Sequence, residues 1–88
     1  MKLTKKNVKK VKEGDKVKCI IPKGYQGSLG IGYDLFKQLQ GTVLKGRINN
    51  IYSDGDVEMM LYVPESLITY TTEIYYLASY CSEVNILK

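Results

Sequence analysis

Histidine is absent from the 88 residues, and cysteine occurs only at Cys19 and Cys81. Without imidazole the chain lacks the side chain that most often acts as a general base near neutral pH or ligates a metal. Two cysteines fall short of the four ligands of a structural zinc site. Cys81 has Glu83 close by in sequence, but no base stands out that would activate the sulfur as a nucleophile. Asp54, Asp56 and Glu58 bring three carboxylates together without the twelve-residue loop and terminal glutamate of a calcium site. They read as the polar tip of a hairpin. The run Gly24, Gly27, Gly30 and Gly32 fails as a phosphate loop, because Tyr33 stands where Lys and Ser or Thr are required. It fails as a dinucleotide fingerprint for want of the spacing and the βαβ setting. No catalytic residue, metal or cofactor is therefore expected. Binding is the class of function left.

Charge is unevenly spread. Residues 1–23 hold nine lysines against Glu13 and Asp15, a local charge of +7, whereas residues 24–88 carry −3. A basic arm at residues 1–13 on an otherwise acidic body points to a polyanion or an acidic protein as partner. For nucleic acid the candidates are Lys5, Lys6, Lys9, Lys10, Lys16 and Lys18. The abundance of Lys, Asn, Ile and Tyr also fits AT-rich coding, so part of the lysine excess reflects composition rather than selection for binding. Arg47 is the only arginine. That argues against base-specific reading, for which the guanidinium fork is the fitting group. No apolar run approaches the twenty or so residues of a membrane span, and charges occupy the N-terminal positions where a signal peptide would be apolar. A cytoplasmic protein with reduced, packing cysteines is expected, and no membrane partner.

The elements that must carry these residues are short. Thr4 to Val11 fits a helical turn capped by Thr4, with Leu3, Val8 and Val11 touching the body. Lys16 to Ile21 alternates, placing Val17, Cys19 and Ile21 on one face of a strand. Residues 23–40 form a long loop, in which Asp34–Gln40 predicts a turn of helix covering the core with Leu35, Phe36 and Leu39. A second strand begins at Gly41-Thr42-Val43, with Gly46 marking a bulge or bend, and resumes through Tyr52. Ser53-Asp54-Gly55-Asp56 signals a hairpin leading into Val57–Val63, where Val57, Met59, Leu61 and Val63 share a face. Leu67, Tyr70, Ile74, Leu77 and Cys81 fit a helical stripe. The Ile, Thr and Tyr content of that stretch favours a strand around Ile74–Leu77 instead, then a tight turn at Ala78–Ser82 and a last strand at Glu83–Leu87.

This order of elements resembles the SH3-like small barrel. Gly14-Asp15-Lys16-Val17 looks like the Gly-Asp-x-Val opening of such barrels, KOW-type ones included, and Gly41-Thr42-Val43 is similar to their Gly-x-Val second strand. Leu77-Ala78-Ser79-Tyr80 followed by Glu83–Leu87 resembles the helical turn and closing strand. The resemblance covers residues 14–87. It implies a mainly β, five- to six-stranded barrel in a single domain of residues 1–88, with a short N-terminal helical turn and a long Gly-rich first loop. It does not extend to proline-rich peptide recognition, because that groove needs a Trp and the chain has none.

The function expected on these grounds is a non-enzymatic module acting through a protein–protein interface, in the style of a phage accessory or inhibitor protein working in a host cytoplasm. The residues expected to meet the partner are Tyr25, Leu29, Ile31 and Tyr33 of the long loop, with outward-facing Tyr62. A nucleic-acid-binding barrel using the lysines named above is the alternative. Exposed strand edges add a route to a homo-oligomer.

Overall fold

Alternation of apolar and polar residues builds one antiparallel sheet. The computed structural model describes residues 1–24, 33–67 and 71–87. The strands are β1 (Lys16–Ile20), β2 (Val43–Ile51), β3 (Val57–Tyr62), β4 (Glu73–Leu77) and β5 (Glu83–Ile86), and α1 (Tyr33–Leu39) lies between β1 and β2. Their order across the sheet is β4-β3-β2-β1-β5. The chain is mainly β, as expected. The described strands form an open sheet, since β4 and β5 stand at its two margins and do not pair with each other.

The period-2 pattern decides which side chains the core receives. Val17 and Cys19 of β1, Leu44 and Ile48 of β2, Met59 and Leu61 of β3, Ile74 and Tyr76 of β4, and Val84 and Ile86 of β5 are all buried. Each such side chain contributes about 1.5–3 kcal/mol relative to exposure. Phe36 and Leu39 of α1 join this cluster, and Leu35 packs against it. The helical turn foreseen at Asp34–Gln40 thus does cover the core. The β-branched and aromatic content of the C-terminal stretch prevails over its helical stripe. In β4, Tyr76 is 2% exposed and Tyr75 is 47% exposed, as adjacent strand residues require. A 3-10 turn at Ala78–Tyr80 then leads to β5.

Three local expectations are corrected. The N-terminal turn is a 3-10 turn at Val8–Lys10 with Asn7, not Thr4, at its N-cap position, and the Asn7 side chain ties the turn back to the residues before it. Asn7 Oδ1 accepts from the Thr4 amide at 2.8 Å, and its Nδ2 donates to the Lys2 carbonyl. Gly46 does not break β2, which runs through it to pair with both Val17 and Leu61. The register shift lies between Ile48 and Asn50. What demands glycine at 46 is close approach: a Cβ there would strike the Met60 carbonyl oxygen and come within 2.8 Å of Leu61 Cα. The last concerns the basic N-terminal arm: Leu3, Val8 and Val11 pack against the core as expected, and the arm also pairs with the sheet margin. Met1–Leu3 lines the β5 margin, with Ile86 N donating to Met1 O at 2.7 Å and Leu3 N to Val84 O at 2.8 Å.

The hairpin between β2 and β3 is closed by Tyr52 N donating to Asp56 O at 2.9 Å and Gly55 N to Tyr52 O at 3.0 Å. Gly55 sits at φ +89°, the conformation that makes Asp-Gly a turn signal. No helix among the described residues is long and apolar enough to cross a membrane.

Candidate binding face

Directly opposed residues of an antiparallel pair share a face and hold their Cβ atoms about 4.5–5.5 Å apart. Register alone therefore maps the solvent side of the sheet. One row runs Lys16, Arg47, Met60, Tyr75 across β1 to β4. In the next row Lys18 pairs with Lys45 on one side and Asn85 on the other, and Lys2 bridges to Asn85. Gly46 pairs with Leu61, so Lys45 and Tyr62, one step along each strand, also stand opposed, and Tyr62 pairs with Glu73.

Two halves emerge on this face. Over β1 and β2, Lys16, Lys18, Lys45 and Arg47 form a two-by-two block of exposed cations. Like charges directly opposed on a ladder are destabilising. No carboxylate among the described residues forms an ion pair with any of the four, whereas Lys2 nearby is tied to Glu83 at 3.6 Å. Over β3 and β4 lie Met60, half-buried, and the rings of Tyr62 and Tyr75, each 47% exposed. Tyr75 OH donates to Glu73 Oε1 at 3.3 Å. The charge of the Glu73 carboxylate and then that hydrogen bond hold the phenol's pKa above its ordinary value.

The structure thus brings Lys16 and Lys18 together with Lys45 and Arg47. The residue-by-residue reading missed the latter two. Lys45-Gly46-Arg47 has the same period-2 spacing as Lys16-Val17-Lys18, a signal readable only once the two strands are paired. Lys5, Lys6, Lys9 and Lys10 are exposed on the N-terminal segment, outside this block. Of the residues expected to meet a protein partner, Tyr62 lies on the face and Tyr33 heads α1 with 59% exposure. Tyr25, Leu29 and Ile31 lie outside the described residues.

Carboxylates toward the β2–β3 hairpin are engaged locally, Glu58 among them on the same face as Met60 and near enough to Tyr75 to add to the rise of its pKa. Asp56 accepts from Val57 N at 2.8 Å and from Ser79 Oγ at 2.9 Å, and Asp54 accepts from Asp56 N at 2.9 Å. Glu58 accepts from Asn49 Nδ2 at 2.6 Å and from Tyr52 OH at 3.3 Å. A cleft of about 400 Å³ separates this tip from the N-terminal segment, with Lys5, Asp56, Ser79 and Glu83 on its walls. No group of three or more Cys, Asp or Glu side chains among the described residues is arranged to hold a metal ion. Both cysteines are free thiols. Cys19 is buried on β1, and Cys81 contacts it after the 3-10 turn. The hydrogen bond to Cys19, then burial, pushes the Cys81 thiol far up. The Cys19 thiol is held below its ordinary range, because the hydrogen bond from Cys81, against the opposing effect of burial and with help from the Leu44 amide, favours its anion.

Comparison of the chain with protein-family models, with curated proteins and with solved structures finds no match.

Proposed function

We propose that this chain is a non-enzymatic binding module on an SH3-like framework, and that it docks a polyanionic macromolecule on the outer face of its sheet. The observation that carries this reading is the block Lys16, Lys18, Lys45 and Arg47, four exposed cations in directly opposed pairs with no ion pair to a described carboxylate. Such an arrangement opposes folding, and an anionic partner that neutralises it recovers that free energy on binding. The framework is supported by the strand order, by the 3-10 turn before the last strand, and by the long first connection holding α1. A protein partner held through the glycine-rich loop is the second reading, supported by the exposure of Tyr33.

Salt dependence tests the polyanion reading. Heparin and labelled duplex DNA should bind with an affinity that collapses between roughly 50 and 200 mM salt, with a slope near 0.9 per duplex phosphate neutralised. Replacing Lys16, Lys18, Lys45 and Arg47 together with Gln should abolish binding and leave the fold intact. Replacing Lys5, Lys6, Lys9 and Lys10 with Gln should reduce the slope far less. A larger effect from the N-terminal set would move the site to the N-terminal segment.

A further inference from the structure

We propose that the polyanion is a single-stranded nucleic acid, its phosphates lying over β1 and β2 and its bases stacked on Tyr62 and Tyr75. This rests on the polyanion reading and adds what the other half of the face does. Within single rows the surface changes from cation to ring, as in Lys16, Arg47, Met60, Tyr75 and in Lys18, Lys45, Tyr62, Glu73. Strands lie about 4.8 Å apart, so cations and rings are separated by one to three strand spacings. A strand of nucleic acid has the same two-sided character, charged along its backbone and aromatic along its bases.

A duplex fits only half of this surface. Its bases are already stacked on one another, so Tyr62 and Tyr75 would gain nothing from it, whereas unpaired bases stack on exposed aromatic rings with little regard to sequence. An acidic protein fits poorly for a different reason. Protein interfaces place their rings centrally and push charge to the rim. Here the cations occupy β1 and β2, inside the sheet, and Tyr75 occupies its β4 margin. Glu73 adds polarity to the arrangement. Its carboxylate, tied to Tyr75 OH, repels phosphate from the β4 side and leaves the cation block as the track for the backbone. With a single arginine in the chain, recognition should be tolerant of base identity.

The test uses the full chain with labelled oligothymidylate and oligouridylate of about 16 nucleotides, the upper end of what one small barrel spans. A duplex of equal length, heparin and polyglutamate serve as competitors. Single strands should bind more tightly than duplex. Tyr62→Ala and Tyr75→Ala should each weaken single-strand binding by about five- to a hundredfold, with heparin binding and the salt slope unchanged. Tyr62→Phe and Tyr75→Phe should restore it. Because the chain has no Trp, tyrosine emission can be read directly and should be quenched by single strands but not by heparin. Duplex bound as tightly as single strands, or Tyr→Ala variants without effect while the lysine variants still lose heparin, would overturn this inference and leave the polyanion reading standing. Polyglutamate binding that depends on both tyrosines would overturn it in favour of an acidic protein. Failure of every polyanion to bind at low salt would remove both readings.

Discussion

Two charged regions lie on the same sheet and are treated in opposite ways. At the β2–β3 hairpin, Asp54, Asp56 and Glu58 each accept hydrogen bonds from backbone amides or side chains of the immediate surroundings. Over β1 and β2, Lys16, Lys18, Lys45 and Arg47 face one another in like-charge pairs. The acids are part of how the hairpin closes. The cations contribute nothing comparable to the fold and are held together against their mutual repulsion by the strands beneath them. The proposed polyanion reading rests on that difference between charges engaged within the fold and charges held without a local partner.

The sharpest way to break the comparison is to remove what both regions share. Gly46 lies in the strand that carries Lys45 and Arg47 and leads to the hairpin. Gly46→Val should drive β2 and β3 apart, because the new side chain meets the backbone of Met60 and Leu61. A loss above roughly 3 kcal/mol is expected, read as a collapse of the urea midpoint. A variant as stable as the parent would mean that the strands do not approach as described.

The next effect separates function from stability. Changing Lys45 and Arg47 together to Glu turns both like-charge pairs with Lys18 and Lys16 into opposite-charge pairs. Each should add about 0.2–1 kcal/mol, raising the melting temperature while polyanion binding is lost. A drop in both quantities would show that the cations support the fold after all.

Smaller again is the hairpin. Asp56→Ala removes acceptors for Val57 N and Ser79 Oγ, a loss of about 1–2 kcal/mol by chemical denaturation. Polyanion affinity should stay at its parental value. Smallest is a titration. Glu73→Gln should return the Tyr75 phenol toward its ordinary pKa, since the carboxylate's charge is the main cause of its elevation. Tyrosinate absorbance against pH reads this directly, and an unchanged curve would place the cause elsewhere.

The strands were legible because their signals are local. Val17, Cys19 and Ile21 alternate within six residues, Asp54-Gly55 marks the turn, and Ile74, Tyr75 and Tyr76, with Thr71 and Thr72 just before, decide residues 73–77 against a helix. Phe36 and Leu39 were legible as a core-covering turn for the same reason. The cation block was not, because pairing of Lys16 with Arg47 is a long-range fact that neither segment contains. A lysine-rich composition also disguised it, drawing attention to the N-terminal cluster. Pairing of Met1–Leu3 with β5 was equally hidden, since three residues are too few to carry a period. Gly46 announced an irregularity, but sequence could not distinguish a bulge from a close backbone contact. The mainly β architecture foreseen from the order of elements is met by a five-stranded antiparallel sheet, but the expected barrel is not: β4 and β5 stand at the two margins of the described sheet without pairing with each other, and how margins curve is not encoded by alternation.

The position of β1 has a kinetic consequence. It sits between β2, which follows it, and β5, at the far end of the described chain. The meander of β2, β3 and β4 needs only neighbouring segments, so it can form early, as low-separation contacts do. Docking of β1 onto β5 closes a loop of most of the chain and should come after that meander. The buried thiol of Cys19 and the half-buried thiol of Cys81 report on this last step, because they meet only when it is complete. Pulsed alkylation during refolding should therefore label both sulfurs after the hairpin amides are already protected from exchange. Simultaneous protection would mean that the sheet forms in one step.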